Sequence, residues 1–471
     1  MATKHDKNVP TVRVTKIIPV LPKPLHPQQI IHLSNLDRQC PLLMYVVFFY
    51  KSSGAFQNLS LGSVFSCFKS GLEETLSIWY PAAGRLSLNP GDGNLNLWCS
   101  NGGAVLVEAV TDAKIIELGD LSQYKAFFEH LVYKPDFHGN FSEMPLVVAQ
   151  VTRFGCGGYS IGIGASHSLF DGPATYDFLH AWASSSAILK QKRGVELYKP
   201  VHERGTLLVD NLGLAKLPES GSFVTRAVAI DHLYQLIKQA MTAHTTGPDT
   251  KFATGTLPAV WNSNLVLKTF HLSGAMIESL KSKVFGERRG SFPCSSFDLL
   301  AAHLWKARTK ALGMRKGAMV CLQFAVDIRN KMVPPLSKGF SGNAYVLASV
   351  ALAAEELESG SHEAIIEKIK DAKNSISNDY VIAYNQALEG TQGSLPPLNE
   401  LTLVSDWTRM PFHKIDFLHG EAAYVSPLLS PIPQVAYFMQ SPIDLRGVDL
   451  RIGLFPQTLD AFSQQFLSNL Q

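Results

Sequence analysis

Two short apolar runs, Pro145–Phe154 and Gly158–Ala165, are separated only by Gly155-Cys156-Gly157. That spacing predicts a hairpin of buried strands. Buried strands need other layers packed on them, and the rest of the chain supplies both kinds of element. Thr11–Val20 and Leu42–Tyr50 read as further strands, rich in β-branched and aromatic residues and bounded by turn formers. Ser63–Tyr80 instead places Val64, Phe65, Phe68, Leu72, Leu76 and Trp79 near a 3.6-residue period, which predicts an amphipathic helix ending at Pro81. The segment after the hairpin turns helical.

Charged, weakly periodic sequence from Ser184 to about Ser222 reads as a long surface connection. Beyond it come an amphipathic segment near Ala229–Met241, a loop at Thr245–Pro258 and a strand at Leu265–Leu272. Ser295-Ser296-Phe297-Asp298 resembles a capped helix start. Leu322–Ile328 and Tyr345–Leu352 follow as strands, then His362–Ile376 as an amphipathic helix and Gly390–Pro397 as a second loop. With 471 residues the chain has room for two or three domains. The expected organisation is α/β with mixed sheets: one domain at 1–185, a crossover linker at 186–222 and a second domain at 223–471.

Charge and composition narrow the partners. Lys and Arg number 42 against 39 Asp and Glu, scattered along the chain with no basic stripe, so nucleic acid is not expected. The longest apolar runs, such as Leu42–Tyr50, are about nine residues where a bilayer needs about 20, so no membrane span is expected. Residues 1–25 lack an apolar core long enough for a secretory signal, which points to the cytoplasm. The glycosylation triplets at Asn58 and Asn140 then carry no consequence. Six cysteines without a CxxC fit neither a disulfide framework nor a zinc site and are read as core thiols.

The sharpest chemical feature is Gly162-Ile163-Gly164-Ala165-Ser166-His167-Ser168-Leu169-Phe170-Asp171-Gly172, where a strand ends at a histidine and an Asp-Gly turn leads into a helix. A neutral imidazole with pKa near about 6.5, held at a strand end, suits a general base. Asp171 either orients that imidazole or pairs with an arginine to brace the turn; bracing is favoured, with Arg308 and Arg329 as candidate partners. Ser166 and Ser168 flank His167, but no GxSxG is present and neighbours on an extended strand point away, so a serine hydrolase is disfavoured. Gly162-Ile163-Gly164 lacks the third glycine of a dinucleotide fingerprint, and neither HExxH nor a P-loop occurs. No metal and no cofactor is expected. His180 and His303, on helices, are read as structural.

His167-Ser168-Leu169-Phe170-Asp171-Gly172 resembles the HxxxDG signature of the plant BAHD acyl-CoA-dependent acyltransferases. Leu33–Asp37 resembles their opening loop and Tyr80–Leu86 their YPxAGR segment; Ser295–Lys310, Val326–Arg329 and Gly342-Asn343 are similarly placed landmarks. The resemblance covers nearly the whole chain. It implies two chloramphenicol-acetyltransferase-like domains with a solvent tunnel between them, acyl-CoA as co-substrate and a small hydroxylated acceptor, met at His167 without an acyl-enzyme, in a monomer. Ser405 falls where many members carry a hydroxyl that steadies the oxyanion. Asp416-Phe417-Leu418-His419-Gly420 departs from the family's DFGWG at Leu418 and His419. Asp171, Gly172, Asp416, Phe417 and Gly420 would be structural residues of the site. Since Leu418 does not favour the positive φ a glycine allows, the turn should differ locally, bearing on CoA affinity; His419 is read as a surface-loop substitution. Leu33–Lys51 and Gly158–Ala183 look most similar to a branch associated with acylating brassinosteroids and inactivating those hormones. Hydroxycinnamoyl transfer to spermidine or a fatty alcohol is the alternative, and a non-catalytic partner protein the other.

Overall fold

A computed structural model describes residues 10–54, 59–136, 140–186, 199–209, 265–286, 293–388, 400–418, 420–428, 435–468 and 470. Their strands, in chain order, are β1 (Arg13–Val20), β2 (Gln29–His32), β3 (Leu43–Tyr50), β4 (Arg85–Leu88) and β5 (Leu95–Cys99). There follow β6 (Ala104–Thr111), β7 (Val147–Phe154), β8 (Tyr159–Ser166), β9 (Val266–Leu272) and β10 (Met319–Asp327). The last are β11 (Tyr345–Ala353), β12 (Leu401–Asp406), β13 (Tyr424–Pro427), β14 (Ala436–Gln440) and β15 (Val448–Leu454). Two six-stranded sheets dominate, ordered β1-β6-β7-β8-β3-β13 and β11-β10-β12-β14-β15-β9, with a small sheet β2-β5-β4 beside them. Both large sheets are mixed: β6 and β7 run parallel, as do β10 with β12 and β12 with β14, among antiparallel neighbours. The α/β expectation holds.

The hairpin forms as the apolar runs demand. β7 and β8 pair antiparallel, and Gly157 turns the chain at φ +80°. All eight residues of β8 are buried, and its glycines are needed for close approach. A Cβ at Gly162 would sit 2.0 Å from the Leu131 carbonyl oxygen, and one at Gly164 2.5 Å from the Tyr45 ring. Helix α1 (Asn35–Arg38) is short and closed by a Ser34/Asp37 capping box. Helix α2 (Leu61–Ile78) buries Val64, Phe65, Phe68, Leu72 and Leu76, and ends just before a 3₁₀ turn at Tyr80–Ala83 that contains Pro81. Helix α3 (Gly172–Ser185) lies against it: Trp182 Nε1 donates to the Phe68 carbonyl at 3.0 Å.

Two observations differ from the linear reading of the chain. Residues 412–428 return to the first sheet, where β13 pairs with β3 and Phe412, Ile415, Phe417, Leu418 and Ala422 join its core. Residues 199–209, read as surface connection, turn Pro200, His202, Arg204 and Leu207 inward while Lys199, Glu203, Gly205 and Thr206 stay exposed. Val201 bridges Phe340, Leu207 is fully buried, and Arg204 is 2 % exposed. The Arg204 charge is satisfied internally, beside Asp37, which is where polar composition misled. The expected segments Ala229–Met241, Thr245–Pro258 and Gly390–Pro397 lie outside the described residues, as does the remainder of the linker apart from 186. Of the six cysteines, Cys40, Cys99 and Cys321 are buried and the other three half-buried. No helix among the described residues is long and apolar enough to cross a membrane.

Candidate active site

His167 directly follows β8, and α3 begins five residues later. Its backbone is clamped on both sides: its N–H donates to the Leu42 carbonyl at 3.0 Å, and its carbonyl accepts from Asn343 Nδ2 at 2.7 Å. The side chain is half-buried, and neither ring nitrogen has a hydrogen-bond partner among the described residues. It opens into a cavity of about 1010 Å³ lined from both large sheets. Fixed backbone and uncommitted imidazole are what a base needs.

Asp171 does not touch that imidazole. It is 3 % exposed and caps α3, its Oδ1 accepting from Ala174 N at 3.0 Å. Arg329 grips it with two bonds, Nη1 to Oδ2 and Nη2 to Oδ1, both 2.9 Å, and Ala344 N adds a fourth at 3.0 Å. Burial works against the Arg329 charge, but attraction to Asp171 and Asp327 outweighs it and raises the guanidinium pKa further. The carboxylate is thus fully occupied in bracing the turn against β11. Arg308, the other candidate, donates to Thr402 Oγ1 instead. Gly172 opens α3 where a Cβ would meet Met410 at 2.8 Å.

Ser405 lines the same cavity from the end of β12. Its Oγ accepts from Trp407 Nε1 at 3.0 Å, which leaves the hydroxyl proton free to be donated. Asp416, Phe417 and Gly420 are not on the cavity wall among the described residues. Phe417 sits in the aromatic core of Phe48, Phe68 and Trp182, and Asp416 Oδ1 closes the turn onto Gly420 N at 2.7 Å. Gly420 takes the positive φ, +148°, while Leu418 is fully buried with no positive φ. Leu418 is accommodated by core packing, without a left-handed backbone. His419 lies outside the described residues. His303 is structural, its Nε2 2.7 Å from the Phe466 carbonyl, and His180 stacks on Tyr176.

Sequence reasoning assigned no role to Asp37, Arg204 or Tyr345, and noted Asn343 only as a landmark. Asp37, fully buried, accepts from Asn343 N and Nδ2 at 2.9 and 3.0 Å, and Arg204 Nε lies 3.3 Å from its other oxygen. A chain of contacts thus runs Arg204–Asp37–Asn343 to the His167 carbonyl. Nothing in the polar neighbourhoods of Asp37 (Ser34–Gln39) and Asn343 (Ser341–Asn343) marks either residue as buried. Cys40 also lines the cavity, but burial pushes its thiol up to about 12, so it is no thiolate nucleophile at neutral pH.

Comparison with known proteins adds the chemistry. The Transferase family model matches residues 8–468. Brassinosteroid-related acyltransferase 1 of Arabidopsis thaliana is 53% identical over 452 residues, covering 93% of this chain and 94% of that one. Fatty alcohol:caffeoyl-CoA acyltransferase of the same plant is 29% identical, over 95% of this chain and 97% of its own. Among solved structures, vinorine synthase superposes with a TM-score of 0.71 at 20% identity, covering 97% and 98% of the two chains.

Proposed function

The chain belongs to the Transferase family and is an acyl-CoA-dependent acyltransferase, and from that premise we propose that it acylates a hydroxyl of an apolar, brassinosteroid-like acceptor with His167 as general base. The observation that carries this reading is the half-buried His167 imidazole, unengaged at both nitrogens, at the wall of the roughly 1010 Å³ cavity. In the reaction the imidazole takes the acceptor's hydroxyl proton as the oxygen attacks the thioester carbonyl. The C–O bond forms, and the carbonyl electrons move onto oxygen, where Ser405 O–H donates a hydrogen bond. Collapse breaks the C–S bond, and the imidazolium returns its proton to the departing CoA thiolate. No bond to the enzyme is made.

The cavity lining supports the acceptor class. Its acids Asp171, Asp177, Asp327 and Asp406 are matched one for one by Arg329, Lys331, Lys373 and Arg409. A polycation such as spermidine would need an acidic excess, and none is present on the described wall. Met44, Val46, Ile163, Phe170, Leu347 and Phe324 are apolar partners suited to a steroid. They suit a fatty alcohol too, which is the second reading. The 53% identical relative carries the brassinosteroid-related name, and acylation would cap the hormone's hydroxyl, a chemical route to inactivation. The test is free-thiol release from acetyl-, lauroyl- and feruloyl-CoA with brassinosteroid, fatty-alcohol and spermidine acceptors, with His167→Ala as the blank. Release that needs brassinosteroid and His167 is the expected result. Release with spermidine alone would overturn the acceptor, and none with any pair would favour a non-catalytic partner role.

A further inference from the structure

The run Asn343-Ala344-Tyr345 does three things at the site. Asn343 holds the His167 carbonyl, Ala344 N–H donates to Asp171, and Tyr345 sets its ring 5.9 Å from the imidazole at 63°. The first two contacts fix the catalytic turn; the third has no such explanation. The phenol lines the cavity, and its hydroxyl has no hydrogen-bond partner among the described residues. Burial, together with Cys40, Asp171 and Asp37 nearby, raises its pKa, so it is a neutral O–H donor at any working pH. Leu347 on the same strand, with Met44, Ile163 and Ala165 from the first sheet, supplies apolar wall to the cavity, and none of the charged residues that also line it hydrogen-bonds the phenol among the described residues. Once an apolar acceptor displaces water, an unmade bond there is costly.

Which substrate atom would take it follows from the fold. β11 and β12 flank β10, and the registers set Tyr345 opposite Asp327 and Ser405 level with Ala325, so the two backbones sit two strand spacings apart and two residues offset, about 12 Å. Ser405 serves the acyl carbonyl; Tyr345 is placed for the acceptor. A donor aimed at the attacking oxygen itself would draw electron density from it and lower its nucleophilicity, which leaves a neighbouring oxygen as the productive target.

We propose that Tyr345 is a specificity-determining residue whose O–H donates to a second oxygen of the acceptor, beside the hydroxyl that His167 deprotonates, so that vicinal diols are preferred over simple alcohols. This rests on the assignment of His167 as the base that activates an acceptor hydroxyl.

The test compares kcat/KM of wild type and Tyr345→Phe on two matched acceptor pairs, with acetyl-CoA and lauroyl-CoA as donors. One pair is a steroid vicinal diol and its mono-ol; the other is hexadecane-1,2-diol and hexadecan-1-ol. Wild type should prefer the diol of whichever pair is turned over, and Tyr345→Phe should lower the diol-to-mono-ol ratio by roughly ten-fold, the size of one neutral hydrogen bond. A ratio unchanged by the substitution, including one in which both rates fall together, overturns the role of Tyr345. Turnover of the alkyl pair alone overturns the steroid reading and leaves the Tyr345 ratio to be judged on that pair. Turnover of neither pair overturns both.

Discussion

Asp171→Asn separates bracing from catalysis at the HxxxD turn. The wild-type carboxylate, 3 % exposed, accepts four hydrogen bonds, two of them from Arg329. An asparagine with its oxygen in the Oδ1 place keeps Ala174 N and Arg329 Nη2, but its amide nitrogen then faces Arg329 Nη1 and Ala344 N, donor against donor. The flipped amide loses the helix cap instead. Either way two charge-assisted bonds go, at roughly 1.5–3 kcal/mol each, in line with about 3–5 kcal/mol for removing one partner of a buried ion pair. At about 2.1 cal/mol/K of unfolding entropy per residue, the 471-residue chain shifts by about 1 °C per kcal/mol, so the melting temperature should fall by about 3–5 °C. Differential scanning fluorimetry reads that fall, and free-thiol release well below both transitions reads the rate. Arg329→Gln should reproduce both losses, since it removes the same brace and leaves the carboxylate. An Asp171→Asn protein that melts like wild type yet is inactive, beside an Arg329→Gln protein that is active, would refute the bracing role and make Asp171 the orienter of the imidazole.

Ser405→Ala should lower acceptor-dependent CoA release by about 10²–10³-fold, carried mainly in kcat, with thermal stability within a degree or two of wild type; an unchanged kcat would remove Ser405 from the chemistry. Acid should destabilise the fold through His202, which is buried between Ser341 Oγ and the Ile78 carbonyl and whose pKa burial lowers to about 4. The unfolded chain binds that proton near pH 6.5 and the folded one only near 4, so stability is full above about 6.5 and is lost as pH falls toward 4. Between pH 7 and 5 this amounts to about 2 kcal/mol. Urea midpoints at the two pH values should therefore converge in His202→Asn by about that amount, and an undiminished wild-type slope in the variant would exclude His202.

Much of this was legible because local pattern and global role coincide. The hairpin ending at His167 shows in two apolar runs and a Gly-rich turn, and the general-base candidate follows from a histidine at the end of a rigid strand. The cap of α3 by Asp171 is likewise a local signal. What stayed hidden depends on contacts across sequence. Arg329 lies 158 residues from Asp171, and nothing along the chain separates it from Arg308; only the pairing of β10 with β11 brings Arg329 to the turn and leaves Arg308 against Thr402. Arg204 read as surface because charge ordinarily means solvent, yet in the interior it forms an ion pair with Asp37 at 3.3 Å and donates to the carbonyls of His202 and Leu169. That Leu418 is buried in the first core depends equally on contacts across the chain, which its place in a turn-like run did not reveal.

These long-range contacts share one consequence. His167 follows a strand of the first sheet, and its backbone is held from both sheets: by Leu42, just before β3 of the first, and by Asn343, just before β11 of the second. Asn343 is itself held by Asp37, and Asp37 by Arg204 from the connecting segment. Asp171 is likewise held by Arg329 and Ala344 of the second half. In return, residues 412–428 close the first sheet and fill its core. Neither half alone can therefore present the imidazole at the cavity wall in this geometry. His167 reaches this place only when both sheets have folded and docked, so under the proposed mechanism docking and catalytic competence go together.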